Sequence, residues 1–171
     1  MAEIREVFVL VGSLRKESLT RKLAQLLQRM APASLALEIV EIGGLPLFNQ
    51  DHEQNPTADV TAFKSRIQRA GAVLFVTPEY NRSVPGALKN AIDVGSRPRG
   101  QSVWDRKPCG VISASPGAIG GFGANHHLRQ ALVVLNSPAI PQPQAPPTAL
   151  ANPPDPDAHR SHEPTRGRVP Q

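Results

Sequence analysis

Three segments of the chain carry most of the residues whose types could bind an anionic or a planar ligand. They are residues 12–20 (GSLRKESLT), 77–86 (TPEYNRSVPG) and 113–121 (SASPGAIGG). The first combines hydroxyl groups, the fork-shaped guanidinium of Arg15 and the start of a helix, whose free N–H groups bind anions. This composition favours a phosphate site, although Ser18 could instead serve only as the helix N-cap.

The second and third segments have the features of a site for a flat ring. Two prolines stiffen residues 77–86, which also contain the only tyrosine, Tyr80. The glycines of residues 113–121 allow a ligand to approach the backbone closely. Glu79 could act as an acid or a base, and a merely solvated carboxylate is an equal alternative.

Hydrophobic periodicity predicts the elements that position these loops. Apolar and β-branched runs predict four strands, at 4–11, 35–42, 72–77 and 109–115. Helical spacing predicts four helices, at 19–30, 58–70, 85–94 and 122–135, with Pro85 in the first turn of the third. Strands that alternate with helices imply a parallel sheet with helices on both faces, and ligands bind beyond the carboxyl ends of such strands. The three loops follow the first, third and fourth strands.

The first two helices have recognisable apolar positions. In the first they are Leu19, Leu23, Leu26, Leu27 and Met30. In the second they are Val60, Phe63 and Ile67. We expect these side chains to face the sheet.

Composition excludes several classes of protein. The net charge is +5, but only 4% of the 171 residues are aromatic and no aromatic–basic stripe occurs, which argues against nucleic-acid binding. No apolar run approaches the roughly 20 residues that span a bilayer, so we expect no membrane partner. Cys109 is the single cysteine, and we expect its side chain to be buried. We also expect the protein to be in the cytoplasm, which is a reducing compartment. His126 and His127 are adjacent and cannot share a metal ion on a helix, so no metal site is expected.

Taken together, the three loops resemble those of the flavodoxin-like NAD(P)H-dependent FMN reductases, which include bacterial quinone and chromate reductases. The matching motifs are G-S-L-R-x-x-S-x-T, P-E-Y-N-x-x-x-P-G-x-L-K-N-A-I-D and S-x-S-x-G-x-x-G-G. The resemblance implies an α/β fold with a doubly wound, five-stranded parallel sheet in the order 2-1-3-4-5. It also implies a homodimer or homotetramer with FMN held between two subunits.

The same resemblance implies the roles of individual residues. The FMN phosphate would be held by Ser13, Arg15, Ser18 and Thr20, the last at a position where many relatives have asparagine. The isoalloxazine ring would be flanked by Pro78, Glu79, Tyr80 and Asn81, mostly through their backbone, and on the opposite side by Ser115 and Gly117.

The implied activity uses NADPH or NADH as co-substrate. Hydride would pass from the nicotinamide through flavin N5 to a quinone, a flavin, chromate or a similar small-molecule acceptor, without a catalytic side chain. The alternative is a non-catalytic truncated remnant or a flavin-binding module without turnover.

The last part of the chain departs from the family pattern. Ten of the 18 prolines lie in 138–171, and residues 145–171 show neither a helical nor a strand period. We therefore expect an FMN-binding domain at 1–144 and a disordered proline-rich tail at 145–171. The final helix of the family fold would then be missing, and we interpret the C-terminal part of the sequence as altered or truncated relative to the family.

Overall fold

A parallel sheet of four strands forms the centre of the computed structural model, which describes residues 4–117 and 119–141. The strands are β1 (Arg5–Val11), β2 (Leu35–Val40), β3 (Ala72–Thr77) and β4 (Cys109–Ser113). Their order is β2-β1-β3-β4, and every neighbouring pair is parallel. The predicted order of the first four strands is therefore confirmed, and the switch point of the sheet lies between β1 and β3.

The structure has the four α-helices that the sequence predicted, three that connect successive strands and a fourth that follows β4. They are α1 (Leu19–Met30), α2 (Ala58–Arg69), α3 (Gly86–Gly95) and α4 (Phe122–Val134), with a 3₁₀ turn at Gln50–His52. Pro85 is the N-cap of α3 and not part of its first turn, because its ψ of 141° is extended. Within residues 4–117 and 119–141, no helix combines the length and the apolar character needed to cross a bilayer.

The larger part of the core lies between one face of the sheet and helices α2, α3 and α4. Phe63 and Ile67 of α2 are buried there and Val60 packs against the edge of the cluster, which confirms the predicted face of that helix. Trp104 is fully buried in the same cluster, and its Nε1 donates to the Ile92 carbonyl at 2.8 Å. This single polar bond satisfies the indole without interrupting the apolar packing.

The opposite face of the sheet is covered by α1, and here the predicted apolar face is only partly correct. The buried residues of α1 are Thr20 and Ala24, while Met30 is 70% exposed. Leu19 and Leu26 are also exposed. Small side chains let the helix approach the strands closely. Because α1 is the only helix on this face among the described residues, its exposed leucines have no second helix to pack against.

The described residues form four strands and not the five of the predicted sheet, and beside β4 they make only an isolated bridge. Ala139 forms a parallel bridge with Cys109, whose N–H donates to the Pro138 carbonyl at 2.9 Å. The Ile140 N–H donates to the Cys109 carbonyl at the same distance. This position corresponds to the fifth strand of the predicted order. The predictions for the final helix and for the tail at 145–171 fall outside the described residues.

Candidate functional site

The carboxyl ends of β1, β3 and β4 bring the three loops singled out in the sequence to one edge of the sheet. The Gly12 N–H donates to the Val76 carbonyl at 2.9 Å, and the Ala114 N–H donates to the Thr77 carbonyl at 3.0 Å. A Cβ on Gly12 would lie 2.8 Å from Thr77 Oγ1 and 3.1 Å from Pro78 Cδ. The first loop can therefore pack directly against the second only because residue 12 is glycine.

The first loop ends at the N-terminus of α1, where hydroxyl groups and amides converge. Ser18 caps the helix, since its Oγ accepts from the Arg21 N–H at 3.0 Å, and Thr20 Oγ1 lies 3.4 Å from that oxygen. Both side chains are buried. The helix-capping role of Ser18 is thus present, yet it uses only a lone pair of the hydroxyl oxygen, and the Ser18 O–H can still donate to Thr20 or to a ligand. The first-turn N–H groups of α1 likewise have no preceding carbonyl within the helix.

Charges around this loop leave an excess of positive charge. The Glu17 carboxylate pairs with Lys22 at 2.9 Å, and that hydrogen bond lowers the pKa of Glu17. Among the described residues, neither Arg15 nor Lys16 forms an ion pair. The partner of the Arg15 guanidinium within residues 4–117 and 119–141 is the Glu17 carbonyl, to which it donates at 3.1 Å in an exposed contact. An incoming anion can replace that carbonyl without breaking a buried bond.

The second loop, residues 78–85, contains a tight two-residue turn. Asn81 and Arg82 have φ values of 51° and 61°, and the backbones of Tyr80 and Ser83 exchange hydrogen bonds of 3.1 and 3.0 Å. Two consecutive left-handed residues are the geometry of a type I′ turn. Because of this turn the Tyr80 phenol reaches the first loop, where its oxygen lies 3.2 Å from Ser13 Oγ.

The Glu79 side chain is only 12% exposed, so the alternative of a merely solvated carboxylate is wrong. Its Oε2 accepts from the Ala124 N–H at 3.1 Å, and its Oε1 lies 3.3 Å from the Arg82 Nη1. Ser83 Oγ also lies 3.1 Å from His127 Nδ1. The second loop is thereby attached to the start of α4.

The third loop is held mainly by local contacts. Ser115 Oγ accepts from the Gly117 N–H at 3.3 Å, and Asn125 Nδ2 donates to Ser113 Oγ at 3.3 Å. Gly121 has a φ of 78°, which favours glycine. Within the part of the chain that the structure describes, no hydrogen bond joins Ser115 or Gly117 to the other eight predicted site residues.

Sequence reasoning missed the role of the first turn of α4. A Cβ on Gly123 would lie 2.7 Å from the Arg82 carbonyl oxygen and 2.9 Å from Glu79 Oε2. The Ala124 N–H and His127 complete the contact with the second loop. The sequence feature that could have indicated this contact is the pair of small residues, Gly123 and Ala124, at the predicted start of the helix.

A groove and a buried thiol lie away from these loops. A groove of about 290 Å³ is walled by residues 46–57, by α2 and by residues 94–101, and none of the ten predicted site residues lines it. Cys109 is buried as expected, and burial raises the pKa of its thiol. Among residues 4–117 and 119–141, no group of three or more His, Cys, Asp or Glu side chains could hold a metal ion.

Comparison with known proteins assigns the chain to a family. Residues 5–147 match the sequence model described as NADPH-dependent FMN reductase. The chain belongs to this family. The resemblance seen in the three loop motifs is therefore confirmed, and membership makes the protein an oxidoreductase that uses FMN and a reduced nicotinamide.

Two named relatives are similar to this chain over most of their length. A quinone reductase of Pseudomonas putida is 62% identical over 146 residues, which is 85% of this chain and 78% of that protein. A 2-hydroxy-1,4-benzoquinone reductase of Burkholderia sp is 47% identical over 139 residues, which is 81% of this chain and 76% of that protein.

The fold is also found in a solved structure. The flavoenzyme FerB, an NAD(P)H:(acceptor) oxidoreductase from Paracoccus denitrificans, superposes with a TM-score of 0.80 at 44% identity. The superposition covers 83% of this chain and 78% of FerB.

Proposed function

We propose that the protein is an FMN-dependent NAD(P)H oxidoreductase whose acceptors are quinones. The observation that carries the proposal is the meeting of three loops at the carboxyl edge of the sheet, beside the β1/β3 switch point. Relatives that are 62% and 47% identical are named as quinone reductases. We propose flavins and chromate as further electron acceptors at the same site.

The start of α1 is our proposed phosphate site, formed by Ser13, Arg15, Ser18 and Thr20. The donors that a phosphate dianion requires are present here as hydroxyl groups, first-turn N–H groups and a guanidinium that forms no ion pair in the described part of the chain. The pairing of Glu17 with Lys22 supports this assignment, because it offsets the one carboxylate in the loop. The residues present therefore fit the phosphate of FMN.

The second and third loops are our proposed walls for the flavin ring. We propose that residues 78–81 of the second loop form one wall and that the third loop forms the other. The residues that would contact the ring are Pro78, Glu79, Tyr80, Asn81, Ser115 and Gly117. The exposure of Tyr80, at 49%, leaves its ring surface available to a planar ligand.

FMN, when bound, supplies the hydride chemistry between the nicotinamide and the acceptor. The residues of the chain would bind the phosphate, hold the ring in one orientation and direct backbone N–H groups to its polar edge. Such preorganised donors stabilise the negative charge that reduction places on that edge. We assign no side chain as a general acid or base, since both oxygens of the Glu79 carboxylate already have partners.

We propose that the protein forms at least a homodimer. Large apolar side chains are exposed around the candidate site, namely those of Leu14, Ile119 and Phe122, at 54%, 55% and 62%. Apolar surface beside a polar site is typical of a contact with another subunit. Sedimentation of the FMN-loaded protein at several concentrations tests this assembly.

Two further assignments rest on the sequence. We propose that the folded domain is contained in 1–144, with 145–171 outside it. We also propose a cytoplasmic location, because the free thiol of Cys109 suits a reducing compartment.

The decisive experiment measures flavin binding and turnover separately. The purified chain is titrated with FMN, freed of excess ligand, and then given NADH or NADPH without oxygen. We expect bound flavin, bleaching of its visible absorption by the nicotinamide, and recovery on addition of benzoquinone. Binding without bleaching would identify a flavin-binding module, and absence of binding would refute the proposal.

A further inference from the structure

The N-terminus of α4 is capped by a residue from a distant loop. Gly121 is its N-cap position and has no side chain that could accept from the helix. The Glu79 carboxylate accepts from the Ala124 N–H at 3.1 Å instead. A carboxylate at this end of a helix satisfies a free amide and complements the helix dipole.

The contact between the second loop and α4 is close as well as polar. Gly123 allows the Arg82 carbonyl oxygen and Glu79 Oε2 to approach the helix at distances that a Cβ would prohibit. A second bond, between Ser83 Oγ and His127 Nδ1, lies one helical turn further along. The loop is therefore attached to α4 at two points.

These contacts couple the second loop to the helix that continues the third loop. They add to the bond by which the Ala114 N–H donates to the Thr77 carbonyl at 3.0 Å, where β3 and β4 end. The backbone of Glu79 belongs to the second loop, and α4 directly continues the third loop at residue 122. Movement of the helix start would therefore change the separation of the two loops. Both loops are proposed walls of the same flavin site.

We propose that Glu79 is a positioning residue that sets the distance between the two walls of the flavin site before the flavin binds. This inference rests on the proposed function. Its carboxylate acts through the backbone of α4 and not on the reacting atoms. The required property is a hydrogen-bond acceptor at Oε2, so Gln should replace Glu and Ala should not.

The first test uses the protein without flavin. Amide hydrogen exchange at Ala124 is compared in wild type, Glu79→Gln, Glu79→Ala and the control Asp93→Ala. Asp93 is a surface carboxylate that pairs with Lys89 on α3. Exchange should be about tenfold faster in Glu79→Ala alone, because only that variant lacks an acceptor for this N–H. Unchanged exchange in Glu79→Ala would overturn the capping role.

The second test titrates FMN and riboflavin into the same four proteins. Glu79→Ala should lose about tenfold in affinity for both flavins, because the ring and not the phosphate is affected. Glu79→Gln and Asp93→Ala should stay within about threefold of wild type. Equal affinities in Glu79→Ala and wild type, or an equal loss in Glu79→Gln and Glu79→Ala, would overturn the proposal. Failure of the wild type to bind either flavin would instead refute the proposed function.

Discussion

The phenolic oxygen of Tyr80 lies 3.2 Å from the hydroxyl oxygen of Ser13, although 67 positions separate the two residues. Ser13 is almost completely buried, whereas Tyr80 is half exposed. The bond therefore joins a fixed point of the first loop to a half-exposed aromatic side chain of the second. A ligand that contacts both loops meets a partly assembled site, which reduces the ordering cost of binding.

Replacing Tyr80 should weaken flavin binding without unfolding the domain. Tyr80→Phe removes one hydrogen bond, worth about 1 kcal/mol, and should lower FMN affinity about fivefold. Tyr80→Ala also removes apolar contact area and should lose more. Flavin fluorescence titration and a thermal melt measure the two effects. Unaltered FMN affinity in Tyr80→Ala would show that the second loop is not part of the site.

Arg15→Ala should discriminate between two flavins. A charge-assisted bond to phosphate is worth about 1.5–3 kcal/mol, so FMN affinity should fall roughly ten- to hundredfold. Riboflavin has no phosphate, and its affinity should hardly change. Lys16→Ala is the matched control, because it removes the same charge from the same loop. Equal losses for FMN and riboflavin in Arg15→Ala would refute the phosphate assignment.

Two glycines at the carboxyl edge should respond oppositely to alanine. Gly12→Ala would place a methyl group 2.8 Å from the buried Thr77 Oγ1 and should destabilise the fold by about 1–3 kcal/mol. Gly86 begins α3, and among the described residues no atom other than those of its chain neighbours and of its own helix backbone lies within 4 Å of the position that an added methyl group would take. Gly86→Ala should therefore be neutral or stabilising by up to about 1 kcal/mol. Urea unfolding compares both variants with wild type. Similar midpoints for the two variants would contradict the packing at Gly12.

Stability should decline in mildly alkaline solution because of Cys109. Burial raises the pKa of this thiol, so the unfolded chain ionises at a lower pH than the folded chain. The stabilising contribution is complete below the unfolded pKa of about 8.5 and is lost as the pH rises above it. Cys109→Ala should lack this part of the decline. The measurement is the change in unfolding free energy between about pH 7 and about pH 9.5, and equal changes in both proteins would contradict it.

Removing the proline-rich segment should leave the domain intact. A chain that ends at Gln144 should melt within about 2 °C of the full chain, since we place 145–171 outside the folded domain. A chain that ends at Leu135 is the control. It lacks Ser137, whose Oγ donates to the Lys107 carbonyl at 2.7 Å, and the bridge of Ala139 to β4. The control should melt markedly lower, and a comparable loss on ending at Gln144 would show that the tail stabilises the fold.

The sequence alone determined the order of the elements and the position of the candidate site. Apolar runs and helical spacing are local properties, and a parallel sheet with alternating helices follows from them with little dependence on distant contacts. The loops after the first, third and fourth strands were then predicted to meet at one edge. Phe63 and Ile67 were correctly assigned to the core for the same reason.

Only the tertiary structure decided how individual side chains are used. The exposure of Leu26 and Met30 depends on which elements pack beside α1, and helical periodicity contains no information about that neighbour. The partner of Glu79 is an amide 45 positions away, made accessible by Gly123. A carboxylate in a loop has the same local pattern whether it is solvated or caps a helix, because the difference in free energy comes from groups brought together by folding.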